Sequence, residues 1–139
     1  MQATLKQVQG LSFVAKGDSN HWVAMDGKKI VGGSEAGTSP MELMLMSLGG
    51  CSSMDVVSLL RKKRADLRDF EVKVSADRAE KHPKVFTKIY MKFIFTGKDL
   101  KKEDIEEAIN LSQEKFCSAA AMLSKAAPIE TEYEIEQVD

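Results

Sequence analysis

An α+β fold, with mostly antiparallel sheet around one long apolar helix, is the architecture this sequence predicts. Three observations carry the expectation. Residues 39–64, SPMELMLMSLGGCSSMDVVSLLRKKR, have the ends of a helix and apolar side chains all round its circumference. Residues 70–77 and 85–96 alternate apolar and polar with the period of a strand. The elements read in this way run βββ-α-ββ-αα-β, strands grouped between helices and joined by hairpins, which argues antiparallel pairing.

Residues 2–16 read as two short strands with Gly10 at the turn between them, because Leu11, Phe13 and Ala15 alternate with Ser12, Val14 and Lys16. Residues 17–20, Gly-Asp-Ser-Asn, form a loop. Residues 21–25 read as a third strand, ending in Asp26-Gly27, a strong hairpin dipeptide. Residues 28–38, with Gly32, Gly33 and Gly37, are irregular.

The central helix is expected over about 39–63. Ser39 suits its N-cap, Pro40 the first helical position, and Glu42 completes a Ser-x-x-Glu capping box. The basic run 61–64 suits the negative end of the helix dipole. No clean polar face precedes Asp55, and a helix apolar all round is buried on all sides. Gly49 and Gly50 each cost an interior helix about 1 kcal/mol relative to alanine, so a closely packed second backbone is expected beside them. Cys51 is then a thiol on a fully buried helix.

Phe70, Val72, Val74 and Ala76 mark a half-buried strand, and His82-Pro83 its turn. Val85, Thr87, Ile89, Met91, Phe93 and Phe95 take one face of the next strand, which breaks at Gly97-Lys98-Asp99. Over 101–115, Ile105, Ala108, Ile109, Ser112 and Phe116 follow an amphipathic helix with acidic residues in its first turns. Cys117-Ser118 opens a third helix, 119–125, stopped by Pro128. The last strand alternates Ile129, Thr131, Tyr133 and Ile135 with glutamates, giving an acidic solvated face that guards an edge.

The 139 residues suit one domain, 1–139, without internal repeats. A net charge of −1 gives no reason to expect a nucleic-acid partner. Residues 1–10 lack the apolar core of a signal peptide, and the run 41–48 is too short and interrupted to span a bilayer, so no membrane association is expected. Two distant cysteines without a secretion signal suit a cytoplasmic protein, where a disulfide is transient and chemical. A chain this short has difficulty enclosing a helix on every side, which favours a homodimer with a shared core.

Cys51 and Cys117 are the leading candidates for chemistry. A buried cysteine is most often a small hydrophobe. Cys117 differs, since a helix start stabilises a thiolate and lowers its pKa. Two thiols at bonding distance form a reactive thiol and its resolving partner. His21 and His82 bring the count of metal-ligand types to four, but no recognised ligand spacing appears, so neither metal nor other cofactor is expected. The methionines at 41, 44, 46 and 54 read first as core filling, with an apolar pocket beside Cys51 as the alternative. Glu114 reads as a solvated helix residue.

The segments SPMELMLMSLGGCSSMDVVSLLRKKR and LSQEKFCSAAAMLSKA resemble the OsmC/Ohr superfamily, and more closely its YhfA-like OsmC branch. The resemblance runs from the strand before Met25-Asp26-Gly27 to the final YEIE strand. It implies an intertwined α+β homodimer, with central helices of both subunits packed together and wrapped by two antiparallel sheets. It further implies thiol-dependent reduction of organic hydroperoxides in oxidative-stress defence, with Cys51 peroxidatic and Cys117 resolving. Neither metal nor flavin is required, and an external dithiol such as a lipoylated protein or thioredoxin restores the pair.

The sequence departs from the peroxidase pattern twice. In peroxidase members a glutamate directly follows the helix-starting proline and works with an N-terminal arginine to hold the thiolate. Here Met41 follows Pro40, and Glu42, nine positions before Cys51, points away from it at about 100° per residue. The first arginine is Arg61, leaving Lys16, Lys28, Lys29 or a partner chain's copy of Arg78 as cations, and lysine lacks the bidentate fork. Two alternatives therefore stand beside the peroxidase: a non-catalytic dimer binding an apolar small molecule, and a redox-sensing dimer.

Overall fold

Alternation and capping signals translate into eleven elements in a computed structural model that describes residues 1–139. In chain order these are β1 (Ala3–Gln9), β2 (Ser12–Gly17), β3 (Trp22–Met25), a 3-10 turn (Lys29–Val31), α1 (Pro40–Lys62), β4 (Asp66–Arg78), β5 (Phe86–Lys98), α2 (Lys102–Leu111), a π-helical turn (Ser112–Phe116), α3 (Ser118–Leu123) and β6 (Ile129–Gln137). The fold is α+β, with two three-stranded sheets and one long helix. The chain divides into two compact units, residues 1–44 and 45–139.

The first unit comprises the antiparallel sheet β1-β2-β3, the loop after it and the first turn of α1. Asp26-Gly27 does not make the expected hairpin. Its carboxylate turns inward and accepts hydrogen bonds from the Ser12 hydroxyl (2.6 Å) and the amides of Gly27 (2.7 Å), Ser34 (3.2 Å) and Ala36 (3.1 Å). The irregular segment after it is thus a loop wound round one carboxylate. It returns to pair Thr38 with Met25 in a parallel bridge. The capping box forms as read: the Ser39 amide and hydroxyl donate to Glu42 Oε2 at 2.9 and 2.6 Å.

The second unit pairs β4 with β5 antiparallel and β5 with β6 parallel. The α2-to-α3 segment makes the crossover that a parallel pair requires. Ile89, Met91, Phe93 and Phe95 line the buried face, where the Phe70 and Phe95 rings lie 5.0 Å apart. Val85 and Thr87 do not share it. Register slips between Asp77↔Lys88 and Arg78↔Phe86, which leaves Thr87 as the extra residue of a bulge and turns Phe86 inward. The opposite face is solvated and carries the pairs Lys88–Glu130 and Lys92–Glu134.

Only one side of α1 is buried within the chain: Leu48, Gly49, Ser52, Val56 and Leu60. Met44, Met46 and Met54 are exposed, so one chain alone does not bury the helix all round. Within the chain a Cβ at Gly49 would stand 3.1 Å from Val74 Cγ2, a side chain rather than a second backbone, and one at Gly50 would meet nothing within 4 Å. By length and composition the whole helix, unlike its run 41–48, is long and apolar enough to cross a bilayer, yet Leu48, Val56 and Leu60 are committed to the chain's own core. Lys63, just past its end, pairs with Asp104 (3.0 Å) and Glu107 (2.6 Å) on α2.

Candidate active site

Two segments far apart in sequence build the site. On α1, Cys51 and Asp55 are one turn apart and share a face, while Ser52 points into the core. The second segment is the π-helical turn. The Cys117 amide donates to the Ser112 carbonyl at 2.8 Å, a bond one residue longer than an α-helical one. That extra residue shifts the helical phase. Ser112 and Cys117 face inward, and Phe116, expected on the apolar face, is 46% exposed. Cys117 then serves as the N-cap of α3, its sulfur accepting from the Ala120 amide at 3.3 Å. The third helix ends at Leu123, before Pro128 is reached.

The two sulfurs and a carboxylate oxygen of Asp55 all lie within 4.8 Å of one another. Both thiols are free. Cys117 is 2% exposed, whereas Cys51 is half-buried rather than fully buried, because its side of α1 is incompletely covered. A polar network fixes the surroundings. Gln113 Nε2 donates to Ser52 Oγ (2.9 Å), which donates to Cys117 Sγ (3.3 Å). The Ser112 hydroxyl lies 3.3 Å from Asp55 Oδ2, with the Ser52 carbonyl at 3.5 Å.

Burial pushes the Cys117 thiol above its ordinary pKa, and the Cys51 sulfur adds to this, while donation from Ser52 and the Ala120 amide works the other way. Burial thus works against the thiolate stabilisation expected of a helix start. A buried resting thiol and a more accessible one stand side by side. Such a pair can pass between dithiol and disulfide.

The other sequence candidates lie elsewhere. Glu42 is occupied by its cap, its carboxyl held below the ordinary range by the Ser39 hydroxyl and amide, with Lys28 contributing charge. Lys16 is engaged by Asn20 and the Trp22 ring, and Arg78 Nε donates to the Lys84 carbonyl. His21 accompanies the Ser19 carbonyl, and His82 lies exposed in the β4–β5 turn. Glu114 is exposed.

Asp55, Ser52, Ser112 and Gln113 join the site only in the folded chain. Two signals were present: Asp55 lies four residues after Cys51, and Ser112 is a hydroxyl at an apolar position of an amphipathic pattern.

Comparison with known proteins agrees with this architecture. A family model described as OsmC-like protein matches residues 32–132. Protein YhfA of Escherichia coli K12 is 47% identical over 135 residues, covering 97% of this chain and 98% of its own. The crystal structure of a hypothetical protein from Aquifex aeolicus superposes with a TM-score of 0.87 at 29% identity, covering 99% of this chain and 97% of that one. The organic hydroperoxide resistance protein OhrB of Bacillus subtilis shares the fold alone, with a TM-score of 0.62 at 19% identity over 96% of each chain. The chain belongs to the OsmC-like family.

Proposed function

We propose that this protein is a cytoplasmic, homodimeric, thiol-dependent reductase of organic hydroperoxides. The observation that carries the reading is the pair of sulfurs within 4.8 Å, one reachable and one buried. The name of the Bacillus subtilis neighbour points the same way.

In this scheme Cys51 is the peroxidatic residue. Its thiolate attacks the O–O bond of ROOH, the bond breaks, and the alkoxide leaves as ROH after taking up a proton. Cys51 becomes a sulfenic acid. The Cys117 sulfur attacks it, forming the disulfide and releasing water. An external dithiol, a lipoylated protein or thioredoxin, returns the two electrons. Asp55 is the carboxylate within reach of both sulfurs and is the base available to a thiol proton.

Cumene hydroperoxide with a dithiol reductant tests this. The parent should consume peroxide and lose both free thiols on stoichiometric oxidation. Cys51→Ser should abolish turnover, and Cys117→Ser should leave a sulfenic acid that dimedone traps. Peroxide consumption by Cys51→Ser at the parent's rate would refute the scheme.

The exposed methionines, with Glu42 confined to its cap, favour a second reading, a non-catalytic dimer that binds an apolar small molecule. Saturable binding of a fatty acid, with no peroxide turnover, would replace the first reading by this one.

A further inference from the structure

Sequence spacing gave no metal site, because the histidines fall at no ligand interval. The donors that the fold brings together are different ones. We propose that Cys51, Asp55 and Cys117 form a binding site for one thiophilic divalent cation of the zinc type, filled when both cysteines are reduced. Metal binding there is independent of peroxidase activity.

The donor set has the right chemistry. Two sulfurs and a carboxylate oxygen are all established zinc ligands, and three protein donors with a fourth position open is the pattern of an accessible zinc centre. The geometry is close to what an ion requires. With metal–sulfur near 2.3 Å and metal–oxygen near 2.0 Å, tetrahedral ligands stand about 3.5–3.8 Å apart. The three donors already lie within 4.8 Å of one another, so closure by about 1 Å completes the set. Cys51 and Asp55 come from adjacent turns of a rigid helix, and the π-helical turn brings in the third donor.

The surroundings orient the donors as groups behind a metal site do. The Ser112 hydroxyl holds Asp55 Oδ2, and Ser52 Oγ and the Ala120 amide both donate to Cys117 Sγ. A surface cleft of ≈ 110 Å³, lined by Asp55, Ser58, Leu59, Lys62 and Phe116, opens beside one of the three donor residues. Binding displaces one proton from each thiol and releases both to solvent. The bound ion holds both sulfurs and prevents the disulfide.

Titration of the fully reduced protein with zinc, and separately with cadmium, tests the site. The parent is expected to take up one ion per chain. Cadmium should give a sulfur-to-metal charge-transfer band, which requires no variant. Cys51→Ser and Cys117→Ser should each cut the band to half or less, the double variant should remove it, and Asp55→Asn should weaken zinc binding at least tenfold. Bound zinc should also slow alkylation of both thiols. Absence of the cadmium band in the parent, or equal zinc uptake by the parent and a Cys51→Ser/Cys117→Ser double variant of unchanged circular dichroism, would overturn the proposal. Peroxide turnover enters none of these readouts, so this site and the peroxidase stand or fall separately.

Discussion

Asp26 is the buried charged side chain of the first unit, 3% exposed, and four donors converge on it. The Ser12 hydroxyl does most to hold its carboxyl below the ordinary range; burial opposes this, and the amides of Ala36, Gly27 and Ser34 assist. Because the folded pKa is the lower one, the folded state binds this proton less readily than the unfolded state. Its stabilising contribution is therefore complete above the ordinary carboxylate range and is lost as pH falls through the folded value. Asp26→Asn should lower the urea midpoint at pH 7, and the gap to the parent should narrow below about pH 4. A gap independent of pH would show that the loop does not depend on the charge. Gly33 belongs to the same loop: a Cβ there would fall on the carbonyl of Gly27, so Gly33→Ala should disorder the segment that Asp26 gathers.

The ends of the elements show what local sequence encodes and what it does not. Ser39 and Glu42 cap α1 as their spacing predicts, since a capping box needs only four residues. The other end ends differently from the basic run's appearance. Arg64 sits at φ 57°, and the Ala65 amide closes on the Leu60 carbonyl at 3.1 Å, the left-handed stop where glycine is favoured. Arg64→Gly should raise stability by about 1 kcal/mol in urea unfolding, while Arg64→Ala, which keeps the left-handed penalty, should not. Equal effects of the two would disprove the strain. Strand and helix existence was legible throughout, because the periods are local. Phase was not. The bulge at Thr87 and the π-helical turn at 112–116 each insert one residue, and tertiary packing decides which side chain then turns inward. The second insertion matters for chemistry, since it buries Cys117 where an uninterrupted helix would bury Phe116. Both cysteines were visible as motifs, but Asp55 was not, because its value arises only when residues 112–117 close over α1.

At the scale of the molecule, the two exposed surfaces of the second unit are finished differently. The outer face of β4-β5-β6 is covered by paired lysines and glutamates, as a face meant for water is. The outer side of α1 presents Met46 and Met54, the latter 76% exposed, and Phe116 and Met122 are exposed as well. Exposed apolar side chains of this kind suit a surface that another protein covers. A second copy is the proposed occupant, and the expected outcome is direct. Sedimentation at micromolar concentration should give twice the chain mass of 15.4 kDa. Met54→Glu places a charge on that surface, which is costly to bury unpaired, and should shift the species toward monomer. It should also lower the melting temperature, and the parent's dependence of that temperature on protein concentration, which linkage between folding and association requires, should weaken as monomer comes to dominate. If the parent itself sediments as a single chain throughout that range, α1 keeps its outer side to water, and the shared-core dimer is wrong whatever the thiols do.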